Sequence, residues 1–174
     1  MHLSGYRYVT LGSLHAQFGQ LEQAINAYRQ ALLSFRREND RVNIGNMLNR
    51  LGELHAVHGN LRKTRTLCQA AARIFRQMDH TAGAITAVRN VAMVHYQAQR
   101  YPLALHLLEK VLMDCDASGD TFNEAITLTC MAQVYLSQSK YLFALACHEA
   151  AIELFQAIEH FDRLDDAAYR VGLR

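Results

Sequence analysis

Leu11-Gly12-Ser13-Leu14-His15 returns as Leu51-Gly52-Glu53-Leu54-His55. It returns again as Val91-Ala92-Met93-Val94-His95 and as Met131-Ala132-Gln133-Val134-Tyr135, and a partial copy, Val171-Gly172-Leu173, follows. The small residue falls at positions 12, 52, 92, 132 and 172, so the step is constant. A fixed period of this length marks an array of repeated supersecondary units.

The residues around each copy define the unit. In the first, Tyr8, Leu11, Leu14, His15 and Phe18 recur at three- and four-residue spacing, which describes one face of a helix. Gly19-Gln20 breaks it, because glycine takes the positive φ of a helix C-terminus at no cost. Leu21, Ala24, Ile25, Tyr28, Ala31, Leu32 and Phe35 mark a second helix, which ends in the polar run 36–40. The same order of helix, tight turn, helix and polar turn is expected over about 1–40, 41–80, 81–120 and 121–160. The turns are Gly59-Asn60, Gln99-Arg100 and Ser139-Lys140, and a half-repeat or capping helix is expected at 161–174. Period-two alternation, which a strand would need, is absent. The spacing predicts one all-α domain over 1–174 with about nine helices.

Composition excludes several classes. The 174 residues are 51% hydrophobic and 20% charged, which fits a folded globular chain. A net charge of +2 is too close to balance to imply nucleic acid. The single proline suits a chain that is mostly helix. The cysteines at 68, 115, 130 and 147 form no Cys-x-x-Cys pair and read as free thiols of a reducing cytosol. The N-terminal residues lack the apolar core of a signal peptide, and no run approaches the roughly 18 apolar residues of a membrane span. A cytoplasmic chain with neither membrane nor nucleic-acid partner is expected.

The types at these spacings resemble the tetratricopeptide repeat (TPR), which is carried by Tyr8, Leu11-Gly12, His15, Gly19, Ala24, Tyr28 and Ala31. Later copies hold Gly52, Ala92 and Ala132 on their first helices and Ala104 and Ala144 on their second. His replaces the usual aromatic at 15, 55 and 95, and Thr64 and Cys68 depart from the pattern in the second copy. The period is longer than the usual 34 residues. Long repeats of this kind resemble those of spindle-orientation adaptors, bacterial Rap-type signalling regulators and MalT-type activators. The resemblance implies a right-handed α-solenoid of stacked antiparallel helix pairs, with the first helices lining a concave groove.

Enzyme chemistry finds no support. No phosphate loop, nucleophile elbow or glycine-rich fingerprint occurs, and no cofactor or metal is expected. His15, His55 and His95 occupy equivalent places in successive repeats. Helices packed at about 8–10 Å cannot gather them on one ion. His55 and His58 share a helix face without acidic or thiol partners. The basic run Arg62-Lys63-Thr64-Arg65 lies on a second helix and reads as a solvated surface, since no aromatics that could stack on bases interleave with it.

The resemblance places partner recognition on the first helices. Its positions are Asn46, Asn49, Arg50 and Glu53 in copy two, Arg89, Asn90, Met93 and Tyr96 in copy three, and Ile126, Thr129, Gln133 and Leu136 in copy four. Arg can hold a carboxylate through two parallel bonds, and Asn can hold a peptide backbone from both sides. A non-enzymatic module that binds a peptide or protein segment, with an acidic or carboxylate group at Arg50 and Arg89, is therefore expected. The alternative is a ligand-sensing regulatory segment of a larger bacterial signalling or transcription-regulator protein. Self-association through the terminal helices is a third, weaker expectation.

Overall fold

The computed structural model describes the backbone of residues 3–172 and the side chains of residues 4–160. It holds eight helices: α1 Leu3–Gln17, α2 Leu21–Arg37, α3 Arg41–Val57, α4 Leu61–Arg76, α5 Thr81–Gln97, α6 Tyr101–Ser118, α7 Thr121–Ser137 and α8 Tyr141–Gly172. No strand occurs among the described residues.

The turns explain the regularity. Residues with positive φ fall at Gly19, Asn39, Gly59, Asp79, Gln99, Gly119 and Ser139, one every twenty positions. After each, the next N–H donates to the carbonyl five residues back, at 2.8–3.0 Å. This bond satisfies a carbonyl that the helix end would otherwise leave unpaired. The same position then caps the following helix. The side chains of Asp40, Asn60, His80 and Asp120 accept from the backbone N–H three residues on, at 3.0–3.1 Å. Such caps contribute about 1 kcal/mol each. The 40-residue repeat is thus two 20-residue backbone units.

The ninth helix is not formed. The next turn in this series would fall at Glu159. The backbone stays helical through it, and α8 runs on to Gly172. The side chains of the expected half-repeat at 161–174, and all of Leu173 and Arg174, lie outside the described residues.

Two compact units can be distinguished, Met1–Ala104 and Leu105–Arg174. In the first, α2 packs between α1 and α3, α4 packs between α3 and α5, and α3 touches α5. Phe75 of α4 is fully buried, with Gly45 and Gly83 against its ring. A methyl group on Gly45 or Gly83 would sit 2.6 or 2.5 Å from that ring, so both positions must stay bare. Burying one such ring contributes about 1.5–3 kcal/mol. Leu48, Leu51 and Leu54 of α3 are buried as the stripe predicts. The matching stripe of α1 is not: Leu11, Leu14 and Phe18 are 44%, 47% and 76% exposed. Among the described residues no helix packs on that side of α1, whereas α3 has α2, α4 and α5 around it.

In the second unit α7 packs on α8, and Ala125, Met131, Ala132, Val134, Ala144 and Ala151 are buried. Phe122 meets Phe155 edge to face at 6.2 Å. Leu142, Leu145 and Ile152 of α8 are exposed, and so in part is Phe143, whose ring lies 5.4 Å from Tyr135 of α7. The expectation that no run approaches a membrane span needs correction here. Tyr141–His160 is long and apolar enough by composition, with a mean hydropathy of 1.2. Its charged residues are few, and the alanines that pack on α7 raise the mean.

Candidate protein-interaction site

Three of the expected groove residues meet on α3 and α5. The Glu53 carboxylate of α3 accepts from Arg50 Nη1 at 3.3 Å and from Asn90 Nδ2 of α5 at 3.2 Å. Arg50 lies one turn before Glu53, the spacing at which helical side chains meet. Asn90 comes from α5, the first helix of the next copy, which α3 touches. Gly52 and Ala92 are buried, and a methyl on Gly52 would clash with Cys68 Sγ of α4, so Gly52 sets how closely α3 approaches α4. The Arg50 side chain is 62% exposed, so this ion pair is weak and readily exchanged. Glu53 therefore stands where the partner's carboxylate was expected.

The other expected residues divide by burial. Asn49 is 5% exposed, and its Oδ1 has no hydrogen-bond partner among the described residues. Leaving such an atom unpaired costs about 1–3 kcal/mol. Arg89 is buried at 9% exposure, so the Arg50–Arg89 pair does not form two equally open cations. Asn46, Met93 and Tyr96 are half-buried, and Tyr96 lies 6.1 Å from the Tyr101 ring. Thr129, Gln133 and Leu136 belong to α7 in the second unit. The Thr129 hydroxyl donates to the Ala125 carbonyl at 3.0 Å, while Gln133 and Leu136 are exposed and Ile126 is half-buried.

Beneath the cluster, burial pushes the Cys68 thiol up to about 12, aided by the Glu53 charge and opposed by a hydrogen bond with Asn90. Burial also raises Cys147. Thiols held protonated suit packing rather than nucleophilic attack. All four cysteines are free. No group of three or more His, Cys, Asp or Glu side chains gathers as a metal site among the described residues. His58 pairs instead with Glu22 of α2 at 3.4 Å.

A second feature escaped the sequence reading. His55 lines a cleft of about 560 Å³ between α2, α3 and α4, with Arg29, Arg62 and Lys63 around it and Leu32, Leu51 and Leu67 also lining it. His55 is 7% exposed, and its Nδ1 has no hydrogen-bond partner among the described residues. Burial holds its pKa below the ordinary value. Lys63, Arg29 and His58 act in the same direction and Glu22 against it. A smaller cleft of about 280 Å³ follows in the next copy, where Arg62, Arg65 and Arg100 surround His95. The available signal was the pairing of each repeated His with residue i+5. Gln20 bonds the Nδ1 of His15, whereas Asn60 spends its Oδ1 on the Lys63 N–H.

Antiparallel helix pairs with a small residue at each crossing define a TPR-like helical-repeat protein, and solved structures share that fold. BtubC from P. vanneervenii aligns with TM-score 0.72 and 18% identity over 89% of this chain and 64% of its own. Aspartyl phosphate phosphatase F from Bacillus subtilis aligns at 0.79 and 10% identity, over 89% of this chain and 41% of its own. The Rap conjugation gene regulator of plasmid pLS20, solved with a Phr peptide, aligns at 0.79 and 14% identity, over 86% and 42%. The chain thus spans 41–64% of the length of these structures, and the likeness is one of fold. No curated protein matches it. The family model for soluble NSF attachment protein (SNAP) matches residues 13–118, more than half of the chain, and the chain belongs to that family.

Proposed function

We propose that the chain is a non-enzymatic, cytoplasmic interaction module whose copies act as one array. It binds an extended peptide or partner segment along the first helices α3 and α5, with Arg50 receiving an acidic group. The observation that carries this reading is the exchangeable Arg50–Glu53–Asn90 cluster, which joins two successive first helices. A partner carboxylate would displace Glu53 from Arg50, while Met93 and Tyr96 offer two apolar contacts beside it. Membership of a family described as attachment proteins and a fold shared with a peptide-bound Rap regulator support the reading.

Peptides selected from a random library against the protein should carry an Asp, a Glu or a free C-terminus. Arg50→Ala should weaken them about tenfold, the loss expected for one charge-assisted bond. Selected peptides without an acidic group, or affinities unchanged by Arg50→Ala in a variant that keeps its helical circular dichroism, would remove Arg50 from the site.

A second reading has its own observation. The exposed apolar sides of α1 and α8 suit a covering helix, from a second copy or from a larger regulatory protein in which this array senses a ligand. A monomeric solution mass at tens of micromolar, unaltered by Phe18→Ser with Leu142→Ser, would count against the second copy.

A further inference from the structure

We propose that the cleft around His55 is a binding site for a small amphipathic acid, an anionic head on an aliphatic body, separate from the α3–α5 face. Three cations from two helices, Arg29 of α2 and Arg62 and Lys63 of α4, converge on it. Among the described residues none of the three forms an ion pair. The Glu22 carboxylate, which lowers the local potential, lies 3.4 Å from His58 and does not line the cleft. The three leucines that line the cleft reject a bare inorganic anion, which would strand apolar surface, and favour a chain of carbons. The cleft's volume of about 560 Å³ lies in the range of small-molecule sites.

The buried imidazole makes this more than a charged groove. Its Nδ1 has no hydrogen-bond partner among the described residues and is itself withdrawn from solvent, so the ring has to turn for a ligand in the cleft to bond it, and a ligand that does so meets a need the fold leaves unmet. Copy one shows the same nitrogen satisfied: Gln20 bonds His15. In copy two the residue that could do so, Asn60, is committed to capping α4, with its Oδ1 on the Lys63 N–H at 3.1 Å. That exchange leaves the nitrogen unpaired among the described residues. Octanoate fits the chemistry as a probe: its carboxylate would take the cations and His55 while its chain covers the leucines.

The test is a titration of the full chain with octanoate, followed through the imidazole resonances of His55 and assigned with His55→Gln. Saturable shifts at His55 and none at His15 are expected. Octanol and inorganic phosphate at equal concentration should produce no saturable shift. Arg29→Gln and Lys63→Gln, both at exposed positions, should each weaken octanoate about tenfold. An unmoved His55, octanol or phosphate binding as tightly as octanoate, or full affinity in both folded variants would overturn the proposal.

Discussion

Copies one and two follow the same backbone, with turns at Gly19 and Gly59 and the same sixth-to-first hydrogen bond at each. They differ in what they leave uncovered. Copy one exposes its apolar stripe and satisfies its histidine. Copy two buries its stripe between three helices, holds Glu53 against two neighbours and leaves a ring nitrogen open. The backbone repeat is therefore a frame that fixes where side chains stand. Function has to arise where one copy departs from the other.

The departures can be broken in order of size. Phe75→Ala should cost about 3–5 kcal/mol, because the ring fills the space between two bare glycines. A chemical-denaturation loss much below that would mean the copies do not stack through this ring. Gly52→Ala should cost about 1–3 kcal/mol by forcing a methyl onto Cys68 Sγ. Adding Cys68→Ala should return part of it, with a coupling of at least about 0.5 kcal/mol. At Gly12 the obstacle is the Tyr28 ring, so Gly12→Ala should be relieved by truncating Tyr28 and not by Cys68→Ala.

Acidification offers a milder probe of the buried imidazole. The unfolded chain takes up the His55 proton near pH 6.5, while the folded chain, pressed by burial and by Lys63, Arg29 and His58 against Glu22, takes it up only at lower pH. The unfolded state then binds more protons, so stability falls as pH drops below about 6.5 and is untouched above it. His95 is lowered by burial, Arg100 and Arg65 and adds a loss of the same sign. His55→Gln should flatten the acid side of the curve, and an unchanged slope would contradict the assignment. The smallest effect is expected from Gln20→Asn. Gln20 makes no cap bond to α2 but holds His15, so asparagine should gain a cap and lose that bond, for a net change within about 0.5 kcal/mol by equilibrium unfolding.

Much of the frame could be read from residue types. Period, turns and most buried stripes followed from glycine, Asn, Asp and apolar spacing, because those features are local and each copy repeats them. Two elements did not follow. The stripe Leu11, Leu14 and Phe18 has the right spacing but no covering helix, since spacing fixes a face and not what lies against it. The ninth helix failed because the backbone stays helical through Glu159, where the twenty-residue rhythm calls for a turn, and residue type does not account for it, since Gln99 makes the same turn. The candidate site was legible in its members and not in their pairing. Arg50, Glu53 and Asn90 were all expected to face a partner, and they meet one another. Asn49 and Arg89 stand in the expected register, yet neighbouring helices bury them. The His55 cleft depends on the shorter reach of Asn60 compared with Gln20, a difference of one methylene that matters only after folding brings residue i+5 beside the ring.

The contrast between the two histidines can be measured directly through ring nitrogen chemical shifts at neutral pH. If His15 is satisfied by Gln20 and His55 is left open by Asn60, Gln20→Ala will move the Nδ1 signal of His15, while Asn60→Ala will leave that of His55 in place. A His55 shift as large as that of His15 would show that Asn60 already occupies the nitrogen and that copy two holds no open site.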